Sequence, residues 1–448
     1  ENMDGRVGQV TARVKKSFMM TDIVADLTWR GLIHQCTDLP AVTEWLKTDS
    51  RTVYIGFDPT AGSMHVGNLV QLVVLRRFQR AGHRPIALVG GATGMIGDPS
   101  GKSAERNLLT AETLQANVAS IQQQMSRFLD FEQGENAAQL VNNLDWIGDW
   151  TYLDFLRDVG KNFPVNVMLG KESVKNRLDR ADGGLSYTEF SYMLLQAYDF
   201  VHLSQHFDCH LQFGGSDQWG NITAGIDLGR RMRGVQLYGM TCPLLTKADG
   251  SKMGKTESGS IWLSPDQTSP YKFYQYWMNV ADDDAGSCLR MLTELSHEEI
   301  EELDVAREQE PHTRASQRRL AEHLTELVHG EEGLKTAVRA TEILFGAEIE
   351  DLNDEQLFDI FADVPSEEID RQSLAEPGMG LIDALVEVGL CSSKGEARRT
   401  IEQGGAYINN RRAETVDQQL TNADLASQSV IVLRRGKKKY ALLRCLDA

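Results

Sequence analysis

Proline is scarce, with 11 residues in 448, and the six cysteines (Cys36, Cys209, Cys242, Cys288, Cys391 and Cys445) are scattered without a C-x-x-C pair. That spacing excludes a disulfide framework and a cysteine-based metal knuckle, and it suits a reducing compartment. No apolar run is long enough to span a membrane, and the first twenty residues lack the apolar core of a signal peptide. A cytoplasmic protein with no membrane partner is expected. Positive charge is also short: Lys and Arg number 46 against 64 Asp and Glu, a formal net charge of -18. Coating of DNA through overall positive charge is therefore excluded, whereas a local basic patch can still bind RNA.

What is present is ordinary for a globular chain, and at this length two or three domains are expected. Acid gathers at Asp282 to Asp284, Glu298 to Glu302 and Glu348 to Asp354, while the tail carries Arg434, Arg435, Lys437, Lys438, Lys439 and Arg444. TVYIGF (52–57) and IALV (86–89) read as buried strands, and Val66, Leu69, Val70, Val73, Val74 and Phe78 share one face of a helix between them. Strand, helix and strand with glycine turns predict an α/β fold with a parallel sheet over 27–270, following a loose extension at 1–26. Helical patterns fill 271–345, and 346–376 reads as a linker. A small α+β domain is expected at 377–448.

Five segments carry candidate chemistry. In YIGFDPTAGSMHVGN (54–68), His65 opens a helix, where an imidazole either caps the backbone or donates to phosphate. Asp58 and Thr60 form a polar turn just beyond the first strand, with Gly56 before them. In GGATGMIGDPSGK (90–102) the glycine spacing is not that of a dinucleotide fingerprint, so a nicotinamide site is set aside, and Asp98 is a candidate for an ammonium group. In SYMLLQAYDF (191–200), Tyr192, Gln196 and Asp199 fall on one helical face and can converge on a polar ligand, or form only an exposed stripe. GGSDQWGN (214–221) offers Gly215, Asp217 and Gln218 for ribose or carboxylate contacts. In ADGSKMGKTESG (248–259), Lys252 and Lys255 sit on a glycine-rich loop and can meet charge that develops on phosphate, or serve only solubility.

Together these segments resemble the class I aminoacyl-tRNA synthetases, with HVGN (65–68) in place of the HIGH motif and KMGKT (252–256) as the KMSKS motif. YIGFDPT, GGATGMIGDPSGK, FSYMLLQAYDF, GGSDQWGNIT and SPYKFYQYWMN are similar to the bacterial tyrosyl branch, and SSKGEARRTIEQGGAYINNRR resembles its S4-like RNA-binding domain. The resemblance implies a Rossmann-like catalytic domain, a helical domain on the anticodon side and a tRNA-binding tail. It implies that tyrosine attacks ATP to give tyrosyl-adenylate, and that the tyrosyl group then passes to tRNA(Tyr). It further implies that Tyr54 and Asp199 hold the phenol, that Asp98, Tyr192 and Gln196 hold the amino group, and that Gln218 lies near the carboxylate. Gly56, Asp58, Thr60, His65, Asn68, Gly215, Asp217, Lys252 and Lys255 would bind ATP, with Thr60, His65, Asn68 and both lysines catalytic. Lys102 and Arg106 would join from a loop. Arg398, Arg399, Arg411, Arg412, Lys437 and Lys438 would face tRNA in a homodimer. ATP would arrive with Mg2+, without a dedicated protein metal site. One departure is Asn68, an amide where the HIGH motif has histidine. A tryptophanyl-type enzyme, a nucleotidylyltransferase and a non-catalytic RNA-binding scaffold are the alternatives.

Overall fold

The computed structural model describes residues 22–100, 110–171, 174–175, 178, 184–256, 259–350, 352–362 and 364–446. They form two compact units, one from residues up to 62 together with 68–245, the other from 63–67 together with 246 onward. Lys102 and Arg106 lie outside the described residues, as does most of the expected extension. The first unit begins earlier than expected, because Ile23, Val24 and Leu27 bury one face of the helix Ile23–Trp29.

Among the described residues of the first unit, six strands make one sheet. They are β1 (Gln35–Cys36), β2 (Thr52–Phe57), β3 (Arg84–Val89), β4 (Gln139–Asn142), β5 (Cys209–Gly215) and β6 (Tyr238–Cys242), in the order β1-β6-β5-β2-β3-β4. All neighbours are parallel except β1, which runs antiparallel at the edge. Parallel strands are covered by helices on both faces, which is why β2, β3 and β5 read as nearly continuous apolar runs.

The helix Val66–Arg80 links β2 to β3. Its predicted face is buried throughout, and Leu72 and Leu75 are buried as well, so the helix is enclosed on more than one side. Each of these side chains contributes about 1.5–3 kcal/mol by leaving water. From β2 the chain moves outward to β3 and β4, then returns to β5 on the other side of β2 and moves out to β6. The order therefore reverses between β2 and β5, and their carboxyl ends, at Phe57 and Gly215, mark where this architecture binds its ligands.

The second unit is helical over Pro270–Met278, Asp282–Leu292, His297–Gln309 and Ala315–Leu344, the last interrupted at Gly330 (φ 78°). Much of the acid seen in the sequence sits in first turns: Asp282, Asp283 and Asp284 in one helix, Glu298 and Glu299 in the next. There it faces the positive end of the helix dipole. The segment 246–263, expected within the α/β domain, belongs to this unit because it packs on Ser63–Gly67 and on the helices after 270.

Residues 346–376 are not a plain linker. They contain a helix, Asp354–Ile360, and a strand, Ser366–Asp370, that pairs in parallel with Lys439–Leu446. That strand completes the tail sheet, whose other members are Ala406–Ile408, Arg411–Arg412 and Val430–Arg435. Helices Leu381–Glu387 and Lys394–Glu402 pack over it through Leu381, Leu385, Ala397 and Ile401 against Ile431, Leu433 and Leu443. Asn409 and Asn410, both with positive φ, form the two-residue turn of the 406–412 hairpin. The Asn410 amide donates to the carbonyls of Ile343 and Ala347 at 2.7 Å. The Tyr440 hydroxyl lies 3.3 Å from the carbonyls of Ile343 and Leu344. These bonds add to the local cap of the long helix, in which the Gly346 N–H already donates to Ile343 O at 2.9 Å.

Candidate active site

The strand ends of the first unit set out the site in sequence order. Beyond β2 come Asp58 and Thr60, beyond β3 Gly90, Thr93 and Asp98, beyond β4 Asn143 and Trp146, and beyond β5 Asp217 and Gln218. The helix Tyr187–His206 presents Tyr192, Gln196 and Asp199, with Tyr192 and Asp199 buried and Gln196 half-buried. A side chain at Gly90 would collide with the Asp58 carboxylate and the Thr93 hydroxyl, and so would have to displace that hydrogen-bonded pair.

Asp199 is the most constrained acid. Asn143 Nδ2 donates to one of its oxygens at 3.0 Å and the Trp146 indole N–H to the other at 2.8 Å. Burial pushes this carboxyl up to about 8, the two donors pull it down, and the charge of Asp58 raises it. Both oxygens accept N–H groups, which is the pattern an ionised carboxylate satisfies. Asn143 also donates to Thr93 Oγ1 at 3.0 Å and accepts the Ala92 N–H at 2.8 Å, so its amide is locked. The Tyr54 side chain packs edge-on against Phe200, with ring centroids 5.2 Å apart. Its hydroxyl is buried without a hydrogen-bond partner among the described residues. Burial and then the charge of Asp199 hold that phenol well above its ordinary value. Gln212, the register partner of Tyr54 on β5, likewise has a buried side-chain oxygen with no partner among the described residues.

A second acid cluster surrounds Asp98, which is 8% exposed. It accepts from Gln218 Nε2 at 2.7 Å and from the Ser100 N–H at 2.9 Å, while Asn221 bridges to Gln218 Oε1 at 3.2 Å. Asp58, expected on the ATP side, accepts the Tyr192 hydroxyl at 2.9 Å and the Thr93 hydroxyl at 2.8 Å. It therefore orients the phenol of Tyr192, which burial and then the charges of Asp58 and Asp98 hold well above its ordinary value. Thr60 and Gly56 are exposed, and Asp217 is half-buried.

In the second unit the structure brings His65 to the KMGKT segment. Val66 N–H donates to Ile261 O at 3.0 Å, Ile261 N–H donates to Gly254 O at 2.8 Å, and Gly254 packs tightly against Val66. The Gly67 N–H donates to His65 Nδ1 at 3.0 Å. That bond assigns the neutral proton to Nε2 and leaves the exposed ring with a donor at its outer edge. His65 thus both caps its helix and presents a donor. Met253 is buried with its sulfur 3.4 Å from that of Cys288, and the Gly254 N–H donates to the Tyr276 hydroxyl at 2.7 Å. The loop is pinned at its centre, and Lys252 and Lys255 on either side are exposed. Asn68 is half-buried in the first turn of its helix. Among the described residues no group of three His, Cys, Asp or Glu side chains is placed to hold a metal ion.

In the tail, Arg398, Arg399, Arg412, Lys437 and Lys438 are exposed. Arg411 is committed elsewhere, since Glu348 and Glu350 both pair with it.

Sequence reasoning did not find Thr93, Asn143, Trp146 or Asn221. Asn143 and Trp146 follow β4, a four-residue strand with little apolar signal, and only its pairing with β3 brings them to the site. The available signal was their place just after a strand, where this architecture puts ligands.

Comparison with known proteins agrees with this geometry. Residues 46–346 match the family described as tRNA synthetases class I (W and Y). Residues 356–443 match the tyrosine–tRNA ligase SYY-like C-terminal domain. The chain is 60% identical to the tyrosine–tRNA ligase of Rhodopirellula baltica, over 97% of this chain and 99% of that one. It is 52% identical to the tyrosine–tRNA ligase of Roseiflexus castenholzii, over 95% and 100%. A C-terminally truncated mitochondrial tyrosyl-tRNA synthetase of Aspergillus nidulans superimposes with a TM-score of 0.66 at 32% identity, over 72% of this chain and 94% of that structure. With both families matched and identity sustained over nearly its whole length, the chain belongs to the tyrosine–tRNA ligases, a branch of the class I aminoacyl-tRNA synthetase enzymes.

Proposed function

We propose that the chain joins L-tyrosine to ATP, supplied with Mg2+, to form tyrosyl-adenylate and pyrophosphate, and then moves the tyrosyl group to the 3′ end of tRNA(Tyr). The observation that carries this reading is the Asp199 carboxylate, held by two N–H donors, together with the partnerless buried hydroxyl of Tyr54. A buried hydroxyl without a partner is costly, and a ligand phenol that reaches both groups removes the cost.

In this reading Tyr54 and Asp199 bind the phenol of the substrate. Asp98, Tyr192 and Gln196 hold its ammonium group, with Tyr192 oriented by Asp58, and Gln218 lies near the carboxylate. Asp217 and Gly215 serve the ribose, and Thr60, His65 and Asn68 serve the phosphates. Lys252 and Lys255 act on the pyrophosphate, joined by Lys102 and Arg106. Catalysis needs no enzyme nucleophile, because the tyrosine carboxylate attacks the α-phosphate and the protein supplies position and charge. Mg2+ arrives on the phosphates of ATP, as it does where the nucleotide itself supplies most of the oxygen ligands.

A homodimer is part of the proposal. Tyr152, Leu153, Val165, Val167 and Tyr187 are all exposed large apolar residues, Leu153 by 75%, in one stretch of the first unit. The hydroxyls of Tyr152 and Tyr187 lie 3.5 Å apart, and apolar side chains exposed together suit an interaction surface. The compartment proposed is the cytoplasm, in keeping with six free cysteines. No helix among the described residues is long and apolar enough to cross a membrane.

Amino-acid-dependent ATP–pyrophosphate exchange tests the reading. Exchange is expected with tyrosine and not with phenylalanine or tryptophan. Exchange driven by tryptophan would replace it with the tryptophanyl alternative, and none with any amino acid would leave only an RNA-binding scaffold. For the tail, the double variant Arg398→Ala, Arg399→Ala is expected to raise the KM for tRNA while pyrophosphate exchange stays at the parent rate. The log–log slope of tRNA binding against salt should become shallower by about one unit for each phosphate that is no longer neutralised. An unchanged slope would remove these arginines from the RNA surface.

A further inference from the structure

The donor that Trp146 offers Asp199 is itself backed by a column of rings. Asp199, His202 and His206 are spaced three and four apart on the helix Tyr187–His206, so they continue the stripe begun by Tyr192 and Gln196. The Trp146 indole stacks on the His202 imidazole, with centroids 4.3 Å apart and planes within 11°. His202 in turn stacks on His206 at 4.3 Å and 30°. None of these rings is accounted for by the roles above.

An indole N–H lies in the ring plane, so a tilt of the ring swings the donor off its acceptor, and hydrogen bonds weaken steeply as they bend. Trp146 sits in a helix of only four residues, Leu144–Ile147, which ends at Gly148. Such a short element gives its side chain little backbone support. The indole is buried in a cluster with Tyr54, Leu88, Phe200 and Leu203, and His202 is the ring stacked flat on it, with His206 at the exposed end of the column stacked on His202 in turn.

We propose that His202 is a positioning residue for amino-acid specificity: by stacking on Trp146 it aims the indole N–H at Asp199 and so fixes the carboxylate that reads the substrate phenol. This rests on the phenol-pocket reading given above. Burial first, and then the neighbouring His206, pushes His202 down to about 4, so at neutral pH the contact is between uncharged rings. The role therefore belongs to the ring and not to its charge, and another flat ring can replace it.

The test compares kcat/KM for tyrosine and phenylalanine, by pyrophosphate exchange, in variants of the full chain. His202→Leu is expected to reduce the tyrosine-to-phenylalanine ratio about tenfold, through a higher KM for tyrosine, which corresponds to one weakened charge-assisted hydrogen bond. His202→Gln, which removes the ring and keeps a polar group, should show the same loss should the leucine variant not fold. His202→Phe should restore the ratio to within about twofold, because stacking survives. In Trp146→Phe the donor is gone, and adding His202→Leu to it should cost nothing more, which is the signature of two residues acting through one bond. A His202→Leu or His202→Gln enzyme with the parent ratio, beside a Trp146→Phe enzyme that has lost it, would overturn the stacking role and leave the pocket standing. If Trp146→Phe and Asp199→Ala both kept the parent ratio, the pocket reading itself would fall. A His202→Phe enzyme as poor as His202→Leu would also overturn the proposal.

Discussion

Replacing Lys252 with alanine is expected to slow tyrosyl-adenylate formation by about 10²–10³-fold while leaving the KM for tyrosine within about twofold of the parent value. Lys252 is exposed, and among the described residues no carboxylate pairs with it. Its charge is therefore uncommitted before the reaction. A hydrated cation on a surface loop gains little from the ground state of the reacting centre, but it gains from negative charge that grows on a departing pyrophosphate. The loop that carries it does not depend on the lysine for its shape, because Met253 and the Gly254 N–H anchor it to Cys288 and Tyr276. Loss of rate with an unchanged melting temperature is thus the expected pattern, and Lys252→Arg should recover part of the rate. The measurement is single-turnover adenylate formation. An alanine variant with parent kcat and a raised KM for tyrosine would show that the lysine binds the ground state instead.

Asp199→Ala carries the second large effect. Its removal deletes an acceptor for the substrate phenol, leaves the buried Trp146 Nε1 donor without a partner and leaves Asn143 Nδ2 with Thr93 Oγ1 alone. The unpaired donor weakens the fold, while the lost hydrogen bond to the phenol costs about 1.5–3 kcal/mol, so kcat/KM for tyrosine should fall by about 10–10²-fold. Phenylalanine never met that acceptor, and its kcat/KM should change by less than about tenfold. The two substrates are thereby drawn together. The general rule is that a site built to pair a hydroxyl rejects the analogue that lacks it, and tyrosyl enzymes are the standard illustration of that rule. Pyrophosphate exchange with both amino acids reads the result. An equal drop for both would mean that Asp199 holds the pocket together without reading the phenol.

The parts legible in the sequence were those carried by short-range pattern. The β2–helix–β3 unit declared itself through apolar runs and one helical face, and Tyr192, Gln196 and Asp199 could be placed together from spacing alone. Pairings that depend on distant residues were not legible. Asp58 is expected among the ATP-binding residues, and nothing in its local sequence shows that it accepts the hydroxyl of Tyr192, 134 residues away. The strand Ser366–Asp370 buries only Ile369, so its sequence has no strand period, and its existence depends on the parallel edge that Lys439–Leu446 offers. Arg411 looked like a free cation because the acids that hold it, Glu348 and Glu350, had been read as part of a linker.

The long helix Ala315–Leu344 has the carbonyls of Thr341, Glu342 and Ile343 paired by the next few N–H groups, and Asn410 and Tyr440, 67 to 97 residues further along the chain, add bonds to Ile343 and Leu344. In biosynthesis the helix and its local cap are therefore made before the tail that adds these bonds. Ala340 and Ile343 of that helix share one buried cluster with Val430, Val432, Tyr440 and Leu442 of the tail sheet, so a substitution that loosens the sheet is expected to loosen the end of the helix as well.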